Sequence, residues 1–489
     1  MTSGLVRRLQ QLLFHHDARV AHGMLAALLL LAALVVAVVV AVAGPIYAVG
    51  AGLGLGAAYL ALRSPRWGLV FVILVATLLP FATFPFRLGF KPTFLDAALA
   101  AFVLVWAVSL VTGRERRFTG SPMGLPVAVF LFLALFAFAL GAANARPSVT
   151  TIRRFAEVIL GVMLFFVVIN VVRQQKDLEW AGKVLILAGA GSALIGVVFY
   201  VIPEEWTVAV LNGLARFDYP GGFGALRYIE DDPANAMRAI GTAIDPNTFG
   251  GMLILFSALA LPQLFARRPL FPRWVVALIV ALDVLCLYLT YSRSAMVGLA
   301  AALLLIALLR YRKLLLLGLI GLVLLLLLPQ TQDYVARFVE GIQGQDLATQ
   351  MRFGEYRDAL RLIARYPVFG VGFSGTPDID LYIGVSSVYL LMAETMGVIG
   401  LLSFLAAMVV YFATFFSTMR RGLTDDRRET LLLGLSAAVA GVLVSGVLDH
   451  YLFNLAYPHM VSLFWIYVGL GMAAILIERA EPVQSQNSL

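Results

Sequence analysis

The sequence has little charge for its length. Only 13% of its 489 residues are charged, whereas 61% are hydrophobic, and the mean hydropathy is +0.92. A soluble domain carries roughly 25% charged residues, so a soluble protein is excluded. The alternation of apolar and polar residues that marks membrane β-barrels is also lacking. The composition therefore predicts an all-α, polytopic integral membrane protein.

Cysteine is nearly absent as well. The single cysteine, Cys286, lies within an apolar run, so the chain cannot form an internal disulfide or a zinc site built from cysteines. The 36 basic residues exceed the 28 acidic ones and give a net charge of +8. They are spread through short loops instead of forming one patch, which disfavours nucleic-acid binding and suits an anionic membrane leaflet.

Long apolar runs are abundant. The run MLAALLLLAALVVAVVVAVAG, residues 24–44, is long enough to cross a bilayer, which takes ~20 residues of helix. It is too long for a signal peptide, so we expect an uncleaved anchor. About fourteen transmembrane helices are predicted, near residues 24–44, 46–62, 68–84, 96–112, 124–141, 156–172, 184–202, 248–265, 274–290, 295–309, 314–328, 388–416, 431–447 and 460–477.

The distribution of lysine and arginine predicts the orientation of these spans. With the N-terminus inside, short inner loops such as RERRF and MRRGLTDDRRE are densely basic, and most of the 36 basic residues fall on the inner side. Both termini are then cytoplasmic.

Two segments between predicted spans are long and face outward in this orientation. The predicted organisation is transmembrane helices over 1–202, a first outer loop over 203–247, central transmembrane helices over 248–328, a second outer loop over 329–387, and C-terminal transmembrane helices with a cytoplasmic tail over 388–489. Loops of this length are usually functional or disordered, and their aromatic and apolar residues favour function.

The second outer loop contains a helical pattern over residues 351–366, which makes it an Arg-rich amphipathic helix. Its apolar face consists of Phe353, Tyr356, Leu360 and Ile363. A separate stripe consists of Arg357, Arg361 and Arg365. Two interpretations stay open: a helix lying on the outer membrane surface with its arginines at the lipid headgroups, or a cradle for a phosphate-bearing substrate.

The segment GVGFSG, residues 370–375, follows this helix. It matches G-x-G-x-x-G, but it follows a helix instead of a strand and lies between membrane spans, so a dinucleotide fold is rejected. We expect its glycines to turn the chain back toward the membrane and to offer backbone N–H groups.

Several polar residues stand beside or within apolar runs. Arg293 lies in the short turn TYSRSA, where it could reach the interface or bind phosphate in a cavity. Glu394, about two turns into a span, is either a structural partner or a general base. Asp283 is mid-span, and we expect a structural hydrogen bond there. His450 and His459 flank the last outer loop, where we expect structural roles.

Four stretches of the second half recur in an order and spacing typical of one family. They are DPNTFGG (245–251), TYSRSA (290–295), RFGEYRDALRLIARYPVFGVGFSG (352–375) and SVYLLMAETMGVIGLLSF (387–404). They resemble the O-antigen ligase and O-antigen polymerase superfamily of bacterial membrane glycosyltransferases. The first half agrees only in its string of apolar helices, with KPTFLD (91–96) as an additional match.

The resemblance implies a metal-independent, cofactor-free reaction at the outer face of the bacterial inner membrane. An oligosaccharide is transferred from undecaprenyl diphosphate to an acceptor hydroxyl, on a glycan or a second lipid-linked chain. Arg293 and Arg352 match family arginines and are the leading diphosphate ligands; Glu394 joins them as a catalytic candidate. The expected substrate-binding residues are Arg357, Arg361, Ser387, Tyr389 and Asp245, although Asp245 is also an ordinary helix start.

One departure from the family bears on the acceptor. Ligases of the family carry a histidine–asparagine pair before the tyrosine of the next span, whereas Ser386, Ser387 and Val388 precede Tyr389 here. The missing base could come from Glu394, Asp378, Asp380 or His450. The departure favours a polymerase-like transfer over ligation to lipid A–core.

A lipid-linked glycan transporter or flippase is the alternative from another class. It would place polar groups along a path at mid-depth and toward the inner side, whereas the charged residues concentrate at the outer edge. Membrane lipid is an expected partner in either case, and a chain-length regulator is a further candidate partner.

Overall fold

The computed structural model describes residues 63–87, 89–113, 118–327, 332–375 and 384–480, together with residues 52, 54, 56, 59 and 60. The chain divides into two compact units, Met1–Ser64 and Pro65–Leu489. In the first unit the described residues up to 63 are helical. The predicted span 24–44 and most of 46–62 lie outside the described residues.

The second unit is built from α-helices, and its described residues contain no named β-strand. The helices are α1 Pro65–Leu78, α2 Phe94–Val111, α3 Gly124–Asn144, α4 Val149–Val171, α5 Gln175–Val201, α6 Glu204–Leu214, α7 Pro246–Ala260, α8 Arg273–Leu289, α9 Arg293–Leu309, α10 Lys313–Leu327, α11 Gln332–Gln343, α12 Leu347–Arg365, α13 Val388–Arg421, α14 Asp426–Ser445 and α15 Pro458–Ala480.

Eight of these helices are long and apolar enough to cross a membrane: α2, α3, α4, α5, α7 with its 3₁₀ extension, α13, α14 and α15. Two further apolar helices, α1 and α9, are shorter than the ~20 residues of a full span. The prediction of a multi-pass helical membrane protein is thus confirmed, whereas the number of about fourteen spans is not, within the described part of the chain.

The centre of the bundle is α15. Almost all of its residues are buried, and an α-helix that is apolar on every side belongs in the interior. Glycines let neighbouring helices approach it and each other. A Cβ on Gly298 of α9 would lie 2.7 Å from the carbonyl oxygen of Gly441 in α14, so α9 and α14 meet backbone to backbone.

Both predicted long loops lie at one end of this bundle, which we call the long-loop end. Residues 203–247 form α6 and four short 3₁₀ turns. The second loop forms α11 and α12, and α12 is the predicted Arg-rich helix, beginning four residues earlier than expected.

Asp283, in the interior of α8, does not have the predicted structural hydrogen bond. It is fully buried, and neither carboxylate oxygen has a hydrogen-bond partner among the described residues. Its polar neighbours Cys286 and Tyr467 are within electrostatic reach but not in hydrogen-bond contact. The expectation of a structural hydrogen bond was therefore wrong.

At the opposite end, a buried arginine joins three helices. Arg428 of α14 is 1% exposed; its Nη1 lies 2.6 Å from Glu478 Oε2 of α15, and its Nε donates to Gln175 Oε1 of α5 at 2.9 Å. Asp425 caps α14 by accepting from the backbone N–H of Arg428. The charge is therefore paired and hydrogen-bonded, as a buried cation must be.

We predict that Arg428→Leu lowers the free energy of unfolding by about 3–5 kcal/mol, because it removes the cationic partner of the partly buried Glu478 and the hydrogen-bond donor to Gln175. Unfolding in mixed detergent micelles measures the change. Arg361→Leu is the matched control, since its ion pair with Asp358 is exposed and contributes at most about 1 kcal/mol. Equal losses in the two variants would contradict the prediction.

Candidate functional site

The helix α12 packs on the segment before α13 through its Tyr356 side. The backbone N–H of Ser386 donates to Glu355 Oε2 at 2.9 Å, and the Tyr356 hydroxyl donates to the Ser386 carbonyl at 3.1 Å. Below them Ala359 and Leu362 are fully buried. The covered face therefore runs through Tyr356, Ala359 and Leu362.

The protein covers only part of the predicted apolar face. Phe353 and Leu360, which belong to that face, are 54% and 57% exposed. The covered residues form one flank of a wider apolar arc. The hydrogen bonds from Glu355 and Tyr356 decide which flank is covered.

The glycines of GVGFSG allow close backbone approach. Gly370 and Gly372 have φ of 67° and 83°, values that favour glycine, and a Cβ on Gly372 would overlap Gly141 of α3. The N–H groups of Val371 and Gly372 donate to the carbonyls of Glu394 and Thr395 at 2.8 and 2.9 Å. The backbone N–H groups that this segment offers at Val371 and Gly372 are thus used by carbonyls of α13.

The carbonyls they satisfy belong to a break in α13. Gly397 has φ 70° and ψ 179°, which interrupts the helix, and the Val398 N–H donates to the Pro367 carbonyl at 2.8 Å. Glu394 lies in the last turn before this break and is 1% exposed. It is within electrostatic reach of Glu355 and Asp358 of α12, and the backbone of Gly384 is nearby.

Arg293 anchors the other end of α12. It is the first residue of α9, and its Nη2 lies 2.6 Å from Oδ2 of Asp346, the residue directly before α12. Its guanidinium also lies against Gly341 of α11, where a Cβ would overlap it. Burial alone would raise the pKa of Asp346, but the hydrogen bond and charge of Arg293 lower it below its usual value. The pair is therefore ionised at neutral pH.

Arg352 points to a different partner. It is half-buried on the covered side of α12 and has no ion pair or hydrogen bond within the described residues. It acts electrostatically on Asp449, which lies in the connection between α14 and α15 and is 4% exposed. Oδ2 of Asp449 accepts from the Ser294 hydroxyl at 3.3 Å, and Oδ1 accepts from the His450 N–H at 2.9 Å.

Several charges act on Asp449. Burial raises its pKa; His450 and Arg352 act in the opposite direction, while the nearby Asp245 carboxylate raises it further, and the net pKa is above the usual value. Asp245 itself caps α7, with Oδ1 accepting from the Thr248 N–H at 2.7 Å. The predicted helix-capping role of Asp245 is therefore confirmed.

Three helix N-termini meet around Asp449. Asp245 begins α7, Ser294 stands in the first turn of α9, and the Val388 N–H at the start of α13 donates to the Asp449 carbonyl at 2.9 Å. Helix N-termini carry partial positive charge, so this arrangement favours an anion.

The other predicted substrate-binding residues take different positions relative to Asp449. Arg357 and Arg361 are exposed on the side of α12 turned away from Asp449. Ser387 is buried at the start of α13, and the Tyr389 hydroxyl donates to the Leu443 carbonyl at 2.7 Å, a contact within the bundle.

The two predicted histidines differ. His450 is partly exposed, its Nδ1 lies 3.9 Å from Asp449 Oδ1, and its ring stacks on Tyr457. His459 is fully buried, and neither ring nitrogen has a hydrogen-bond partner in the described part. Its ring lies edge-on to Phe81, 5.2 Å between centroids. Of the two, only His450 touches the cluster around Asp449.

Comparison with known proteins bears on the same region. Residues 276–405 match the family model described as O-Antigen ligase. The matched region spans about a quarter of the chain and lies in its second half. A search among curated proteins gave no match. The match confirms the resemblance to the O-antigen ligase and polymerase superfamily, whose members are glycosyltransferase-like enzymes.

The matched region contains Arg293, Arg352 and Glu394, but two residues of the cluster lie outside it. Asp245 precedes it and Asp449 follows it, and the fold of the whole second unit brings them to Arg352 and Ser294. Sequence reasoning missed Asp449 and also Asp346. The available signals were an acidic residue at the end of an apolar run, LVSGVLDHY, and an acidic residue directly before a helix.

We predict that Gly397→Ala detaches residues 367–375 from the break in α13, because a Cβ there would overlap the Val368 carbonyl at a φ of 70°. Limited proteolysis should cut this segment faster, and the unfolding midpoint should fall. Gly354→Ala is the control: its Cβ meets open space on an exposed helix, so stability should rise by about 0.5–1 kcal/mol. Unchanged proteolysis in the Gly397 variant would rule out this docking role.

Proposed function

We propose that the protein transfers an oligosaccharide from undecaprenyl diphosphate to an acceptor hydroxyl. The placement of Arg352 carries this proposal. Its guanidinium is half-buried, has no ion pair in the described part of the chain, and faces a carboxylate where three helices begin. A guanidinium so placed suits the phosphate oxygens of a departing diphosphate.

The arginines act on the leaving group. The bond between the anomeric carbon and the phosphate oxygen breaks, and its electron pair leaves with the diphosphate. Arg352 and Arg293 stabilise this charge together with the N-termini of α7, α9 and α13. Asp346 holds Arg293 in a fixed position at 2.6 Å, so the guanidinium is preorganised for this role.

Asp449 is our candidate for the general base. As the acceptor oxygen forms its bond to the anomeric carbon, the carboxylate takes the hydroxyl proton. Its raised pKa makes it a stronger base than an exposed aspartate. Glu394 fits this role less well, because it faces Glu355 and Asp358 instead of Arg352. We therefore move the role of the base from Glu394 to Asp449.

We place the long-loop end at the outer face of the bacterial inner membrane, with both termini in the cytoplasm. The acceptor is a glycan or a second lipid-linked chain, as in a polymerase, and lipid A–core is the alternative acceptor. The polymerase assignment rests on the residues before Tyr389. No histidine stands there, and the backbone of Ser386 is bound on both sides by Glu355 and Tyr356.

We predict that Arg352→Gln reduces transfer by about 100- to 1000-fold, the usual cost of removing one donor that stabilises developing charge. The assay incubates purified protein in liposomes with lipid-linked oligosaccharide. Mass spectrometry then measures glycan length and released undecaprenyl diphosphate. Arg216→Gln removes an exposed arginine from the first long loop and should leave transfer unchanged.

Two results would reject the assignment. Normal product lengths in the Arg352 variant would show that Arg352 does not act on the diphosphate. Movement of the lipid-linked glycan across the bilayer without longer glycans or free lipid diphosphate would indicate a transporter.

We also predict that Asp449→Asn reduces transfer by about 100-fold or more, because a general base contributes on this scale. In the unaltered protein, transfer should rise with pH through a midpoint above the usual aspartate pKa of about 3.9, since the base acts when deprotonated. Asp245→Asn should shift this midpoint to lower pH, because it removes a charge that raises the pKa of Asp449 while asparagine still caps α7. An unshifted midpoint would argue against Asp449.

A further inference from the structure

The helix α12 has an apolar flank that the protein does not cover. Phe353 and Leu360 lie on the same side of the helix, seven residues apart, and both are more than half exposed. They adjoin Tyr356, which packs on the bundle through its hydroxyl bond to Ser386. Two large apolar side chains in continuity with a buried face need a second apolar environment.

The ends of α12 fix its height relative to the membrane helices. Its first end is tied to the start of α9 by the pair of Asp346 and Arg293. At its other end, Phe369 lies edge-on to Phe136 of α3, 5.0 Å between ring centroids. A helix of 19 residues, about 28 Å long, is thus attached to α9 at its start and to α3 through the segment that follows it.

The neighbouring surface of α3 is apolar and exposed. Phe132 is 65% exposed and stacks on Phe136, and Leu140 continues the same stripe. In a membrane helix, an exposed apolar stripe faces lipid. The segment that follows α12 therefore borders the lipid-facing surface of the bundle, where Val368 and Phe369 are also exposed.

Arginines stand beside the uncovered flank. Arg357, Arg361 and Arg365 are all exposed and follow the apolar residues around the helix. Arg361 Nη1 lies 3.1 Å from Asp358 Oδ1, an exposed contact that leaves the stripe with a net positive charge. Apolar side chains flanked by arginines are the arrangement of helices that lie in a membrane interface.

We propose that the uncovered flank of α12 inserts Phe353 and Leu360 into the membrane leaflet at the long-loop end. Arg357 and Arg361 then contact the phosphate groups of anionic phospholipids. The inference concerns a surface turned away from Arg352, and it holds or fails independently of the proposed glycosyl transfer. It assigns phospholipid headgroups, instead of the substrate diphosphate, to the exposed arginines.

The single native cysteine makes a direct test possible. Cys286 is fully buried, so spin labels added to variants with one introduced cysteine report the new position alone, with the unaltered protein as the labelling blank. The test positions are Phe353→Cys and Leu360→Cys. The matched control is Gly354→Cys, which lies on the same helix, on the arginine side, and whose Cβ meets open space.

The variants are reconstituted into vesicles of phosphatidylcholine with phosphatidylglycerol. The relaxation of each label by oxygen, which is enriched in lipid, is compared with its relaxation by a water-soluble nickel chelate. We expect the oxygen-to-nickel ratio at 353 and 360 to exceed that at 354 several-fold. All three positions are exposed, so loss of folding is not expected, and size-exclusion elution checks it. Ratios at 353 and 360 equal to that at 354 would overturn the proposal.

Two further arms identify the ligand. Adding Arg357→Gln and Arg361→Gln to the Leu360→Cys variant, or omitting phosphatidylglycerol, should lower the ratio at 360. If neither change lowers it, the assignment of the arginines to anionic headgroups is wrong. If immersion at 353 and 360 appears only after undecaprenyl phosphate is added, the flank binds the carrier lipid and the phospholipid proposal fails.

Discussion

The position of α12 depends on a backbone contact that only glycine permits. The segment after this helix lies directly on the break in α13, where Gly397 and Gly370 leave no room for a Cβ. Val371 and Gly372 donate their N–H groups to carbonyls that the broken helix leaves unpaired. These backbone hydrogen bonds hold the C-terminal end of α12 in place. The ion pair between Arg293 and Asp346 holds its N-terminal end. Between them, Arg352 acquires one defined direction.

The long-loop end contains two pairs of opposite charges. Arg293 and Asp346 neutralise each other and hold α11 and α12 against α9. Arg352 and Asp449 interact over a longer distance, without a direct ion pair. A pair in contact stabilises the fold and holds the Arg293 guanidinium in one position. A separated pair leaves both charges able to act on a third group, which the proposed transfer from a diphosphate to a hydroxyl requires.

Local patterns predicted the elements that local forces determine. The spacing of apolar residues predicted α12 and the apolar spans, and the Asp-Pro-Asn start predicted the capping role of Asp245, because each depends on residues within a few positions. The flank of α12 that the protein covers could not be predicted, since it depends on Ser386, about thirty positions away. Asp449 was missed for the same reason: its role depends on Ser294 and Arg352, 155 residues away in the first case. Periodicity shows that a helix has an apolar arc, but not how protein and lipid divide it.

With the long-loop end placed at the outer face, as we propose, the two faces of α12 account for arginines on a side where basic residues are normally few. Arg352 and Arg357 are five residues apart, which separates their side chains by more than a third of a turn around the helix. One turns to Asp449 and the other to the exposed surface. The diphosphate of a polyprenyl carrier lies at the level of the phospholipid headgroups, because both are phosphates attached to chains buried in the same leaflet. If one face of α12 rests on the headgroups, the opposite face holds Arg352 at the depth where the diphosphate lies. On this argument, membrane contact by Arg357 and Arg361 and leaving-group stabilisation by Arg352 are two consequences of one helix set at one height.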